Sequence, residues 1–121
     1  VSAAVAPKRL QTVFVVARRP GELHAFYEQA LGLPLKFRDQ DKWIQYGISN
    51  TNVALASVEE AAPAEAGLVM VFEVDDFTGA KERVEAAGGQ VLGVRDMGPH
   101  GAVLSLRDPE GNVVQLFKRA P

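Results

Sequence analysis

The sequence predicts an α+β fold of two βαβββ repeats that form a concave, incompletely closed β-barrel with the helices outside. Three observations predict it. Two amphipathic helical stretches stand among eight short β-branched or aromatic runs. The order strand, helix, three strands occurs twice. Short strings recur with it: "VFVV" at 13 to 16 against "VFEV" at 71 to 74, and "NVAL" at 52 to 55 against "NVVQ" at 112 to 115. A period of about half the chain makes these the halves of one domain of 121 residues, with repeat one at about 8–57, a linker at about 58–66 and repeat two at about 67–118. Either half alone would leave a half-covered sheet, so the two should fold as a unit with a concave face open to a ligand.

The first helix is read from "RRPGELHAFYEQALGLP". Leu23, Phe26, Tyr27, Ala30 and Leu31 recur at the spacing of one helical face, with Glu22, Glu28 and Gln29 opposite. Pro20 suits the first turn, and Gly32 followed by Leu33 and Pro34 forms a glycine cap, an apolar contact and a stop, placing the helix at about 20 to 31. In "VDDFTGAKERVEAAGG", Asp75 or Asp76 can cap a second helix whose buried stripe is Phe77, Ala80, Val84 and Ala87. Gly79 weakens it, and Gly88 and Gly89 end it. The strands are "TVFVVA", "LKFRD", "KWIQYG", "NVALAS", "LVMVFEV", "QVLGVRD", "AVLSLR" and "NVVQLFK", each bounded by turn-forming residues. "VEEAAPAEAG" between the halves is expected to be exposed. In "DPEG", Asp108, Pro109 and Gly111 take the first, second and fourth places of a type I turn between the last two strands.

Composition narrows the chemistry. With 47% hydrophobic and 23% charged residues the chain has the profile of a compact globular domain, and at this length a core needs no staples. There is no cysteine, which removes disulfides, thiolate nucleophiles and Cys-type metal sites. A net charge of -2 without a Lys/Arg stripe argues against nucleic acid or anionic membrane as partner. No apolar run reaches membrane-spanning length, and "VSAAVAPKRL" lacks the apolar block of a signal peptide, so a cytoplasmic location is expected.

"FYEQALGL", "FEVDD" and above all "DPEGNVVQLF" resemble the vicinal oxygen chelate superfamily, which holds glyoxalases, bleomycin-resistance-type binding proteins and extradiol dioxygenases. The resemblance covers about Leu10 to Phe117. It implies a divalent metal held by His or Gln on the first strand, Glu on the fourth, His on the fifth and Glu on the eighth. Sliding the halves over one another carries those places onto Gln11 (or Thr12, if the alignment slips by one), Leu55, Val69 and Gln115. None is His or an acid, and Leu55 and Val69 have no lone pairs to give. Two neutral amides fall short of the imidazole, carboxylate or thiolate set that such metals take, so no metal or other cofactor is expected.

Other residues fill out the expected cleft. Either Trp43 and Gln45 or Ile44 and Tyr46 face inward, and Trp43 suits a planar ligand better. Glu73 shares the face of Val69 by strand alternation and is the one acid expected there. His100, in the loop "DMGPHGAV", is placed at the cleft mouth, while His24 reads as an ordinary, partly exposed helix residue. Arg38 and Arg107, at strand ends, could pair with an anionic ligand group. The expected binding set is therefore Gln11, Trp43, Leu55, Val69, Glu73, His100 and Gln115, with no catalytic residue assigned. Three functions stay open. The first is a metal-free protein that binds a small apolar or aromatic organic molecule, as in sequestration or resistance. The second is a metal-dependent lyase, isomerase or dioxygenase with an unusual ligand set drawn from Gln11, Glu73 or His100. The third is a non-catalytic protein-interaction module. The resemblance also implies a homodimer.

Overall fold

A computed structural model describes residues 4–121 and all of their side chains except those of Phe26 and Leu31. The chain divides into two compact units, Thr12–Val69 and a second that joins the residues up to Gln11 with Met70–Pro121. Each has the expected order of strand, helix and three strands, so the α+β class and the repeat are as the sequence predicts.

In the first unit the elements are β1 (Arg9–Ala17, which enters the unit at Thr12), α1 (Pro20–Leu31), β2 (Leu35–Asp39), β3 (Trp43–Ile48), β4 (Thr51–Ser57) and α2 (Val58–Ala61). The sheet order is β2-β3-β4-β1. β4 runs parallel to β1 and antiparallel to β3, and β2 is antiparallel to β3. Helix α1 starts with Pro20 in its first turn and ends at Gly32, whose φ of 61° is the left-handed conformation that glycine adopts without steric cost. Its amide donates to Glu28 O, and Leu33 beyond it folds back onto Tyr27 O and into the core. That core is Ile44, Tyr46 and Leu55 from the sheet with Leu23, Tyr27 and Leu33 from the helix and its cap, beside Val15. Removing each such large side chain from water contributes about 1.5–3 kcal/mol. Ala30, expected on the buried face of the helix, is exposed.

The expected exposed linker is partly ordered instead. Ser57 Oγ caps α2 by accepting from Glu60 N at 3.3 Å, and Ala61 and Ala64 are buried. Small alanine side chains let the backbone lie close to the sheet, where a linker reading sees only low hydrophobicity.

In the second unit the elements are β5 (Leu68–Glu73, which enters at Met70), α3 (Ala80–Ala86), β6 (Gln90–Asp96), β7 (Ala102–Arg107) and β8 (Val113–Lys118). The order β5-β8-β7-β6 repeats the pattern, with β5 parallel to β8 and the other pairs antiparallel. Its core joins Val74, Ala80, Leu104 and Leu116, with Val5, Phe72, Phe77, Val91 and Leu106 packed against them. Helix α3 is shorter than expected. Gly79, with φ 74°, stands just before it rather than inside it, Asp76 bonds Thr78 N within the preceding turn, and Ala87 is exposed. The "DPEG" turn forms as predicted: Gly111 N donates to Asp108 O at 2.9 Å, while the Asp108 carboxylate accepts from Glu110 N, Asn112 N and Asn112 Nδ2. Those bonds, the Asn112 side chain first, hold its pKa below the usual carboxylate value.

Candidate functional site

Strand register decides which side chains can share a surface. In the first unit β1 and β4 align Thr12 with Asn52, Phe14 with Ala54 and Val16 with Ala56, while β3 and β4 align Trp43 with Ala56, Gln45 with Ala54 and Gly47 with Asn52. Side chains alternate along a strand, so Thr12, Phe14, Trp43, Gln45, Asn52, Ala54 and Ala56 occupy the face opposite α1. The choice left open for β3 is thereby resolved: Trp43 and Gln45 lie on that face, and Ile44 and Tyr46 lie under the helix. Leu55 requires a correction. It packs in the core beneath α1, and Ala54 and Ala56 stand on the face expected of it. The same alternation puts Thr12 beside Phe14, and not Gln11.

Trp43 is half-buried and firmly held. Its ring meets Phe14 edge-on with centroids 5.2 Å apart, and its indole N–H donates to Gln45 Oε1 at 2.9 Å. With the N–H taken, the π surface is what the side chain offers a ligand.

In the second unit β5 and β8 align Val71 with Gln115 and Glu73 with Phe117, and β7 and β8 align Ser105 with Gln115. Val69, Val71 and Glu73 alternate onto one face of β5, all of them buried. Gln115 Nε2 donates to Ser105 Oγ at 3.1 Å. The two glutamines do not pair with each other. Gln11 Oε1 instead accepts from Arg9 Nη2 at 2.6 Å.

Glu73 is 4% exposed and clamped by two arginines. Arg9 Nε donates to Oε1 at 2.9 Å and Arg119 Nε to Oε2 at 2.8 Å. The Arg119 hydrogen bond, seconded by that of Arg9, outweighs burial and holds the Glu73 pKa below its ordinary value. A carboxylate held below its ordinary pKa is a poor general base near neutral pH. Arg9 also bridges Glu73 to Gln11, so a guanidinium already stands between the two oxygen donors from which an unusual metal set would start. His100 is exposed on the short 3-10 turn Gly98–His100. Among the described residues, no three His, Asp or Glu side chains come together as a metal site. The residues at the implied ligand places, a hydroxyl or amide, an alkyl group, Val69 and Gln115, do not fit a divalent transition metal.

The two strand-end arginines are committed elsewhere. Arg38 Nη2 pairs with Asp41 at 2.6 Å and its Nε donates to Gln40 O, while Arg107 Nη1 donates to Gly111 O at 3.0 Å. A cavity of about 240 Å³ in the second unit is lined by Val94, Asp96, Gly98, Gly101, Lys118 and Arg119 among others, and by none of the seven expected binding residues.

His24 corrects a sequence expectation outright. It is buried, its Nδ1 lies 2.6 Å from the hydroxyl of the fully buried Tyr46, and the two rings stack. With the hydroxyl as donor, Nε2 carries the ring proton and faces the Glu28 carboxylate at 3.7 Å. Burial first, and then the Glu28 charge, raise the Tyr46 pKa. The signal was available, because His24 stands three residues before Tyr27 and so borders the apolar face.

Residues 12–117 match the family model of the glyoxalase-like domain. No curated protein matches. Solved structures share the fold at low identity. Methylmalonyl-CoA epimerase from Mycobacterium tuberculosis is 14% identical with a TM-score of 0.73, covering 100% of this chain and 94% of that one. A glyoxalase/bleomycin resistance protein/dioxygenase superfamily member from Vibrio splendidus is 14% identical with a TM-score of 0.69, covering 93% and 98%. Homoprotocatechuate 2,3-dioxygenase from B. fuscum is 22% identical with a TM-score of 0.75, covering 100% of this chain and 35% of that one.

Proposed function

The chain belongs to the glyoxalase-like family, and from that premise we propose that it binds a small apolar or aromatic organic molecule without a resident metal. An epimerase and a dioxygenase share the fold, so the fold does not choose a chemistry and the side chains must. The observation that carries the reading is the donor chemistry. Where the resemblance implies metal ligands, this chain has Thr12 or Gln11, Ala54 or Leu55, Val69 and Gln115, and Glu73, the acid expected on the face of Val69, is already paired with Arg9 and Arg119.

Trp43 supports the choice of ligand. A ring fixed by an edge contact and a hydrogen bond loses little freedom when a second ring stacks on it, which favours binding. Trp43 is also the only tryptophan, so its emission reports that surface directly. The test titrates neutral and anionic aromatic compounds against the protein in excess EDTA, following Trp43 fluorescence and thermal shift. Saturable binding that survives the chelator is expected. Stoichiometric uptake of zinc, nickel, manganese or ferrous iron, with ligand binding that requires it, would overturn the reading in favour of a metal-dependent enzyme.

A further inference from the structure

The geometry points to Lys36 as an anion-recognising residue on the Trp43 face, and so to a ligand that joins an aromatic group to a carboxylate or phosphate. This rests on the proposed binding of an aromatic molecule at Trp43 and adds the charge and length of that molecule. The β2–β3 ladder pairs Leu35 with Tyr46 but Phe37 with Gln45, so Lys36 is one extra residue in β2. A bulge of this kind re-aims a side chain. The lysine stem then crosses β3 at Gly47, the strand's one residue without a side chain: its Cδ lies 3.5 Å from where a Cβ on Gly47 would stand. Beyond it, Nζ donates to Oδ1 of Asn52 at 3.1 Å. Asn52 is 5% exposed and lies on the face of Gln45 and Trp43. A bulge, a glycine and a buried amide together carry an ammonium group inward from an edge strand.

No carboxylate pairs with Lys36 among the described residues, and Asn52 is its one polar partner there. This sets it apart from Arg9, Arg38 and Arg119, each of which has a carboxylate. A neutral amide orients an ammonium group without neutralising it and leaves N–H donors for a bound anion. Gln45 and Trp43 stand two and four residues along β3 from Gly47, which at about 3.4 Å per residue is roughly 7–14 Å. The ligand's ring and its anionic end should be separated by a distance in that range. Sequence reading passed over Lys36 because alternation alone does not reveal a bulge.

The test uses three probes of one shape: 4-phenylbutyrate, 4-phenylbutanamide and 3-phenylpropyl phosphate. Each is titrated into the wild-type protein, Lys36→Met and Lys36→Arg, by calorimetry and Trp43 fluorescence. Lys36 is exposed, so both variants should fold, and thermal unfolding checks that they do. The wild type is expected to bind one or both anions at least about tenfold more tightly than the amide, the worth of one charge-assisted hydrogen bond. Lys36→Met should bring the anions to the level of the amide while leaving the amide unchanged, and Lys36→Arg should keep part of the preference. The stronger of the two anions identifies the head group. If the amide binds the wild type as well as the anions do, or if Lys36→Met keeps the preference, the role of Lys36 is overturned while the aromatic site stands. Binding of none of the three would remove the aromatic reading and this proposal with it.

Discussion

Replacing Glu73 by Gln tests the second unit at its most concentrated electrostatic point. The variant keeps the shape of the side chain and one acceptor but removes the charge that two arginines share at 2.9 and 2.8 Å. A hydrogen bond to a charged group contributes about 1.5–3 kcal/mol. Here the arginine side chains are 38% and 65% exposed and recover water when released, whereas the carboxylate is 5% exposed. That lowers the expected cost to about 1 kcal/mol per bond, or about 2 kcal/mol together, well short of the 3–5 kcal/mol for stranding a fully buried charge. At about 2.1 cal/mol/K of unfolding entropy per residue and 121 residues, the midpoint of Glu73→Gln should fall by about 8 °C at neutral pH, read by circular dichroism. The pH dependence gives a second handle. The native pKa is depressed, so the wild type's advantage is full above the unfolded value near 4.3 and is lost as pH falls below it through the native value. A midpoint within about 2 °C of wild type at neutral pH, or an advantage that persists undiminished in acid, would refute the argument that the clamp stabilises this unit.

Three further outcomes are expected. Tyr46→Phe leaves His24 Nδ1 without the hydroxyl at 2.6 Å and should cost about 1–2 kcal/mol in urea unfolding. Because the folded Tyr46 pKa is raised, its stabilising effect is complete below the unfolded value near 10 and is lost as pH rises through the native one, an alkaline decline the phenylalanine variant should lack. Gly101→Ala sets a Cβ against Lys118 O and 2.8 Å from Phe117 Cε1, at a φ of 93°, and should cost at least about 2 kcal/mol; an unchanged denaturation midpoint would count against the described β7–β8 geometry. Gly32→Ala, at a φ of 61° with open space around the added methyl, should cost only about 1 kcal/mol by the same assay, since backbone strain is the single contribution.

The elements were legible because their local signals agreed with their final environments. β6 and β7 fall where "QVLGVRD" and "AVLSLR" put them, and α1 runs from its proline to its glycine. The site was less legible because facing changes with a single residue. Matching "NVAL" to "NVVQ" set Leu55 against Gln115, yet β1 and β4 align Phe14 with Ala54 while β5 and β8 align Val71 with Gln115. That slip of one turns Leu55 from the expected binding face to the helix side. His24, expected to be partly exposed, and Glu73, set on the face of Val69 but with its ion pairs unseen, were less legible for another reason. Their environments depend on Tyr46, Arg9 and Arg119, which are far away in sequence and adjacent only after folding.

The turn held by Asp108 bears on the order in which the second unit assembles. β7 and β8 are joined by five residues, 108–112, whose own hydrogen bonds already fix the reversal. Closing so short a loop loses little chain entropy, so this hairpin can form on a microsecond scale before distant contacts exist. β5 must instead find β8 across the whole intervening chain, and parallel pairing of that kind is slow because the entropic cost precedes the gain. The folding transition state of this unit is therefore expected to be polarised toward the β7–β8 hairpin, with high φ-values around Asp108 and low ones in β5.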